Sequence, residues 1–356
     1  MTIYFICPDI NKPTGGIKQI YRQVDILNAN NINAFVLHEK NGFRCNWFKN
    51  KTRVSYNKAV FKEIDLISTK KLSLIGIQKK RFKNIVYYIK NLLKAKNEVK
   101  ITSKDILVFP EVFGPKIGKI LPGIKKVIYN QGAYQTFFNY NLNLDDIDTP
   151  YLNSDLLAVI VNSENARKYI THVFPKIDLY RVHYGIDKAN FNYSKNKKQQ
   201  IAFMPRRLRV DLVQVINILK FRGVLKNWQL VGIQNMNEQE VASTLKDSAF
   251  FLSFSINEGF GMPPAEAMAC GCIVVGYSGK GGEEYFKDEF SYPIADRNVQ
   301  EYAKKLEKIL LSYEHDTTPF LEQSKKASEY ILKEYAIEVE QNDIATVWKK
   351  IIENNA

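Results

Sequence analysis

Two carboxylates stand eight positions apart in the string Asn257-Glu258-Gly259-Phe260-Gly261-Met262-Pro263-Pro264-Ala265-Glu266. A carboxylate accepts hydrogen bonds at both oxygens, so each Glu can grip a vicinal diol. Two such grips on either side of a strand-to-helix turn suit a ligand with two polyol rings joined by phosphates, which is a sugar nucleotide. The N-terminus of the following helix would present free N–H groups and positive partial charge to the phosphates, and Gly259 and Gly261 would let backbone approach the ligand closely. Taken singly, Glu266 could merely complement the helix dipole and Glu258 could be a solvated loop residue. The full ten-residue string is harder to explain that way.

The elements around the string place it. Ala249-Phe250-Phe251-Leu252-Ser253-Phe254-Ser255 is a continuous apolar and aromatic run, as expected for a strand buried on both faces of a parallel sheet. The strand is expected to end near Ser255. Pro263 and Pro264 suit the first positions of a helix, and Cys270-Gly271 stops it before the strand-like Cys272-Ile273-Val274-Val275. Glu258 then lies in the loop and Glu266 in the first helical turn. In open α/β sheets ligands bind beyond the carboxyl ends of the strands, where this string falls.

The stretch from Phe251 to Gly276 resembles the signature of the retaining glycosyltransferases of the glycosyltransferase-B fold, in particular family 4, whose hallmark is Glu-x7-Glu. The resemblance implies that Glu258 touches donor-sugar hydroxyls and Glu266 the ribose. Backbone through Gly259, Phe260, Gly261 and Met262 would then lie at the sugar and diphosphate. The N-terminal Thr14-Gly15-Gly16, followed by a helix with Ile17, Ile20, Tyr21, Val24 and Leu27 on one face, is similar to the family's first Gly-Gly loop at the cleft. Ile201-Ala202-Phe203-Met204-Pro205-Arg206-Arg207 reads as the first strand of a second Rossmann-like domain. It delivers two guanidiniums, whose fixed forks of donors match phosphate oxygens. Arg206 and Arg207 are therefore assigned, with Glu258, to the catalytic group that meets the donor diphosphate.

Three departures from the family pattern stand out. Pro205 replaces a Gly before the first Arg, and Asp211 falls near the place of an expected Lys, for which Arg207 or Arg209 could substitute. After the strand Val127-Ile128-Tyr129-Asn130, many relatives carry His-Gly near the sugar's outer hydroxyls; here the pair is Gln131-Gly132. Glutamine can donate and accept but cannot carry a proton at neutral pH as an imidazole does. In similar enzymes the leaving diphosphate itself deprotonates the acceptor, so neither a metal nor a cofactor is expected.

At 356 residues with 45% hydrophobic content, the chain suits two soluble domains. The four cysteines show no zinc-like pairing and read as reduced thiols, and no window reaches the length of a membrane span. Net charge is +14, and residues 40–126 hold 22 Lys and Arg against 5 Asp and Glu. Clusters such as Lys79-Lys80-Arg81-Phe82-Lys83 and Lys90 to Lys96 mix bases with apolar residues at helical spacing, which suits either an anionic membrane surface or a solvated helix face. Signatures of nucleic-acid modules are absent, and no nucleic-acid partner is expected.

Alternating short apolar runs and amphipathic segments argue for an α/β protein with parallel sheets. Strands are placed near residues 2–7, 33–38, 105–109, 126–130, 157–161 and 179–183, with helices and irregular insert over about 40–104. The resemblance implies two Rossmann-like domains facing across a cleft. Residues 1–190 form the acceptor side, 191–335 the nucleotide-sugar side, and a final helix in 336–356 crosses back to the first domain. The function implied is transfer of a sugar from a nucleotide diphosphate sugar to a hydroxyl of a glycan or lipid-linked acceptor, with retention, in bacterial surface polysaccharide synthesis. The expected location is the cytoplasm or the inner face of the membrane. A non-catalytic glycosyltransferase-like partner subunit is the alternative.

Overall fold

The computed structural model describes residues 1–69 and 98–355. The basic clusters at 79–83 and 90–96 lie outside the described residues. Two parallel sheets form the frame. The first has the order β3-β2-β1-β4-β5-β6-β7, built from β1 (Ile3–Ile6), β2 (Ala34–His38), β3 (Val54–Tyr56), β4 (Ile106–Pro110), β5 (Lys125–Asn130), β6 (Leu156–Val161) and β7 (Leu179–Arg181). The second has the order β12-β11-β10-β8-β9, with β8 (Lys198–Phe203), β9 (Gln229–Gly232), β10 (Ser248–Glu258), β11 (Ile273–Lys280) and β12 (Ser291–Pro293). Among the described residues every strand pair is parallel, and the central strands are apolar on both faces because helices cover both.

The strand order itself locates two crevices. In the first sheet the chain runs outward from β1 to β3 and then returns to the other side of β1, so the direction of winding reverses between β1 and β4. In the second it reverses between β8 and β10. Loops leaving neighbouring strands at such a switch point diverge and open a cleft at the carboxyl ends.

Helices complete each layer. They are α1 (Gly15–Ala29), α2 (Lys58–Thr69), α3 (Glu164–Val173), α4 (Arg209–Phe221), α5 (Glu238–Asp247), α6 (Met262–Ala269), α7 (Val299–His315), α8 (Thr318–Glu334) and α9 (Ile337–Glu353). Helix α1 buries the apolar face expected of it: Ile17, Ile20, Tyr21, Val24 and Leu27 are all buried. The final helix, α9, packs back on the first domain. Trp348 is fully buried against Phe5, ring centroids 5.7 Å apart, and its indole N–H donates to Gln23 Oε1 at 3.3 Å. The two crossings between domains lie side by side, with Ile186 N–H donating to the Tyr335 carbonyl at 2.8 Å.

Two local expectations are corrected. Residues 54–56 form an edge strand, pairing Val36 with Val54, where only helix and irregular insert is expected; three residues are too few to show a period. Strand β10 continues to Glu258 instead of ending near Ser255, through an irregularity between Ser255 and Glu258 that includes Asn257 at φ 56°. Among the described residues no helix is long and apolar enough to cross a membrane.

Candidate active site

The β8/β10 crevice brings the expected charges together. Glu258, the last residue of β10, pairs with Arg207, which follows β8: Arg207 Nη1 lies 3.0 Å from Glu258 Oε1. Arg207 is half exposed, so this pair is one that a ligand can reorganise at little cost. Arg206 is exposed and makes no ion pair among the described residues. Asp211 does not replace the missing Lys. It is 4% exposed, and its carboxylate accepts from Tyr277 Oη at 3.0 Å and from Arg297 Nη1 at 2.7 Å, turned into the sheet. Arg209 opens α4 and is exposed.

Helix N-termini converge on the same side. The residues before α1, α4 and α6 are Thr14, Leu208 and Gly261, and none supplies a side-chain cap. By contrast Ser163, Asn237 and Asn298 cap α3, α5 and α7 with their side chains. These three ends each follow a strand at a switch point, leaving N–H groups for an anion; α8 and α9 also lack side-chain caps, but each follows a helix.

The helix α6 begins at Met262, so Glu266 is its fifth residue and lies beyond the first turn where it was expected. The two prolines sit in that turn, where a missing N–H costs nothing. Glu266 is partly buried between the domains. Burial pushes its carboxyl up to about 7 against the pull of Lys18, with Glu238 adding to the rise and Arg22 opposing it. Lys18 Nζ also reaches across to Glu238 Oε1 at 2.7 Å, joining α1 to the start of α5.

The opposite wall comes from the first domain and is built on Gln131. Its N–H donates to Glu111 Oε2 at 2.9 Å, its carbonyl accepts from Asn162 Nδ2 at 2.9 Å, and its side-chain Oε1 accepts from Tyr184 Oη at 3.3 Å. Tyr184 in turn accepts from Tyr129 Oη at 3.1 Å. Glu111 is 3% exposed, and burial pushes its carboxyl up to about 7 although the N–H groups of Gln131 and Gly132 favour the charge. Gly16 lies against this side chain: a Cβ there would be 2.7 Å from Gln131 Oε1. Gly15 is exposed at the start of α1.

The walls touch at Gly259. A Cβ on it would stand 1.7 Å from the Gln131 carbonyl oxygen and 2.8 Å from Asn162 Nδ2, so this position admits no side chain. The sequence suggests a glycine for close approach of ligand; the structure supplies a different reason, the approach of the other domain. Behind it Gly281 is equally tight, its Cβ direction 1.9 Å from the Gly259 carbonyl oxygen. Phe260 is 2% exposed and packs among Tyr184, Tyr285 and Tyr335, with centroids 5.9, 5.1 and 5.0 Å away. Only its backbone can meet a ligand. Tyr285 Oη donates toward the Phe260 and Gly261 carbonyls, fixing the turn into α6.

Sequence reading missed Lys18, Glu111, Asn162, Tyr184 and the loop Gly279 to Glu284. Only the last left a signal, a glycine-rich run directly after a strand. It also passed over Asp146-Ile147-Asp148, an Asp-x-Asp of the kind that can hold a divalent cation. These acids sit on an exposed loop, Asp148 paired with Lys119 at 2.8 Å and Asp146 accepting from Asn141 Nδ2 at 2.7 Å. Among the described residues no group of three His, Cys, Asp or Glu could hold a metal ion.

Residues 211–331 match the family described as glycosyl transferases group 1. An alpha-1,6-glucosyltransferase of Actinobacillus pleuropneumoniae serotype 7 (strain AP76) is 25% identical over 214 residues, 58% of this chain and 60% of that one. The aligned stretch thus spans about three fifths of that relative. Among solved structures, a mutant of S. aureus TarM in complex with fondaparinux, alpha-GlcNAc-glycerol and UDP superposes with a TM-score of 0.64 at 14% identity, covering 100% of both chains. Sucrose-phosphate synthase of Thermosynechococcus elongatus does so at 0.66 and 12%, over 99% of this chain and 100% of that one. Anabaena HepE in complex with UDP and glucose gives 0.62 and 13%, over 98% and 100%. The chain has the GT-B fold of glycosyltransferases, and its match to group 1 glycosyl transferases includes the stretch from Glu258 to Glu266.

Proposed function

We propose that the protein transfers a glycosyl group from a nucleotide diphosphate sugar to a hydroxyl of a glycan or lipid-linked acceptor, with retention at the anomeric carbon. The observation that carries this reading is the pairing of Arg207 with Glu258 at the β8/β10 switch point, beside the uncapped α4 and α6 N-termini. A donor diphosphate entering there exchanges Glu258 for phosphate oxygens at Arg207. The freed Glu258 then accepts bonds from sugar hydroxyls. Glu266, one helix turn and more beyond, accepts the ribose diol, and the neutral Gln131 amide meets the sugar's outer face.

In the reaction the bond from the anomeric carbon to the diphosphate oxygen breaks while the acceptor oxygen bonds to the same face. The acceptor proton passes to the leaving diphosphate. Arg206, Arg207 and the free N–H of Met262 hold the charge that builds on that diphosphate, which is electrostatic stabilisation by groups already in place. No protein nucleophile is assigned: Glu258 is committed to Arg207 or to the sugar, and both glutamates belong to the donor wall.

The first donor to test carries uridine diphosphate, because the TarM, HepE and pneumococcal GtfA structures contain UDP. A glucosyl group is the first sugar to test, because one relative is an alpha-1,6-glucosyltransferase. A lipid-linked acceptor at an anionic membrane face is supported by the basic balance of residues 40–126. It is also supported by the loop after Gln131, which leaves Phe137, Phe138, Leu142, Leu144 and Ile147 exposed. The test is release of nucleoside diphosphate from a panel of nucleotide sugars with and without acceptor, with the product's anomeric configuration read by NMR. Tight nucleotide binding with no turnover on any acceptor would instead favour a non-catalytic partner subunit.

A further inference from the structure

The loop that follows β11 ends in a carboxylate that leaves its own domain. Glu284 Oε1 accepts from Arg181 Nη2 at 2.5 Å and from Tyr335 Oη at 2.9 Å, and its Oε2 accepts from the backbone N–H of Glu164 at 2.8 Å. Arg181 ends β7 and Glu164 opens α3, both in the first domain, while Tyr335 stands at the return crossing between α8 and α9. One side chain from the second domain thus joins a strand end, a helix N-terminus and the crossing. The helix N-terminus of α3 and the guanidinium both complement the carboxylate's charge. The Glu284 side chain is 12% exposed. The Arg181 Nε atom is buried with no partner, while its Nη2 donates to Glu284.

The same loop carries the other end of the connection. Three residues before Glu284, Gly281 is in tight contact with the Gly259 carbonyl, and Lys280 is paired in register with Glu258. A shift of Glu284 therefore moves the backbone that presents Glu258. The Lys18–Glu238 ion pair, which also joins the domains, is wetter, about one third exposed on each side.

We propose that Glu284 is a positioning residue, a latch that holds the glycine-rich loop after β11 to the first domain and so sets the spacing of the two walls on which transfer depends. The kinetic part rests on the proposed function; the spacing part does not. Glu284→Gln keeps the shape and an acceptor for the Glu164 N–H but weakens the tie to Arg181, and Arg181→Ala cuts the same tie from the other domain.

The experiment compares wild type, Glu284→Gln, Glu284→Ala, Arg181→Ala and the Glu284→Ala/Arg181→Ala double variant. It combines small-angle scattering, UDP affinity and steady-state turnover. A latch predicts a larger radius of gyration in every variant, smallest in Glu284→Gln, with the double variant no larger than the worse single one. It predicts kcat/KM lower by about tenfold or more, the effect of losing a charge-assisted hydrogen bond, while UDP affinity, a property of one wall, stays within about threefold. An unchanged radius of gyration in Arg181→Ala and Glu284→Gln would overturn the latch, as would UDP affinity falling in parallel with turnover. If wild type shows no turnover the transferase reading fails, and scattering alone still decides whether Glu284 sets the spacing.

Discussion

The two walls of the cleft are built from opposite materials. The second domain presents charge: Glu258 and Arg207 in contact, Arg206 exposed, Glu266 partly buried, and the bare N-termini of α4 and α6. The first domain presents a neutral, tightly bonded lattice in which the N–H, carbonyl and side-chain oxygen of Gln131 all have partners. A diphosphate needs strong opposite charge that can rearrange, which half-exposed ion pairs allow. A sugar's hydroxyls need donors and acceptors held at fixed angles, which a bonded network of buried side chains provides. In the proposed function the diphosphate therefore lies on one wall and the outer sugar hydroxyls on the other. Lys18 and Arg22 of α1 are the exception, and they lie where Glu266 reaches toward the first domain.

The most severe way to break this arrangement is at the point of contact. Gly259→Ala drives a methyl group into the Gln131 carbonyl, so both walls must part. We expect loss of stability of about 3 kcal/mol, the upper range for overpacking, and kcat/KM down by more than about 100-fold, read by chemical denaturation and by nucleotide release. Glu258→Ala attacks the charged wall alone. Turnover should fall about 100-fold while the unfolding midpoint barely moves, because the ion pair lost is half exposed. On the neutral wall, Gln131→Ala leaves the Tyr184 hydroxyl without its acceptor and should lower kcat/KM about tenfold, with nucleoside diphosphate affinity unchanged in a calorimetric titration.

The smallest effect expected is on stability against pH. The carboxyls of Glu266 and Glu111 are both pushed up to about 7, so the folded chain binds their protons more tightly than the unfolded chain does. Stability should therefore fall as pH rises from about 4.5 to about 7 and then level off. Glu266→Gln should remove part of that slope, of order 1 kcal/mol across the window, measured as urea midpoints at successive pH values. An identical slope in the variant would place the titration elsewhere.

The charged wall was readable in the sequence because its parts are consecutive. Ten residues from Asn257 to Glu266 hold both carboxylates, the glycines and the helix start, and Arg206-Arg207 directly follows a strand. The neutral wall left almost no trace, since Gly16, Glu111, Gln131, Asn162 and Tyr184 come from five separate places that only the fold assembles. Gln131 was found by its position after a strand, but its support was not. Glu284 was missed for a related reason: it acts at a distance from its own strand, and its partners Glu164, Arg181 and Tyr335 lie 120, 103 and 51 residues away. The apolar runs of the buried strands were clear, whereas β3 is too short to show alternation. The reach of β10 to Glu258 depends on an irregularity at Asn257 that composition does not encode.

The most direct test of the central claim is thermal unfolding of wild type, Glu266→Ala and Arg207→Ala against a panel of nucleoside diphosphates and nucleotide sugars. A ligand at about 100 times its dissociation constant adds ~2.7 kcal/mol. The account predicts a selective rise in Tm for wild type, strongly reduced in both variants. Equal shifts in all three proteins, or no shift with any nucleotide, would contradict a donor site on the charged wall.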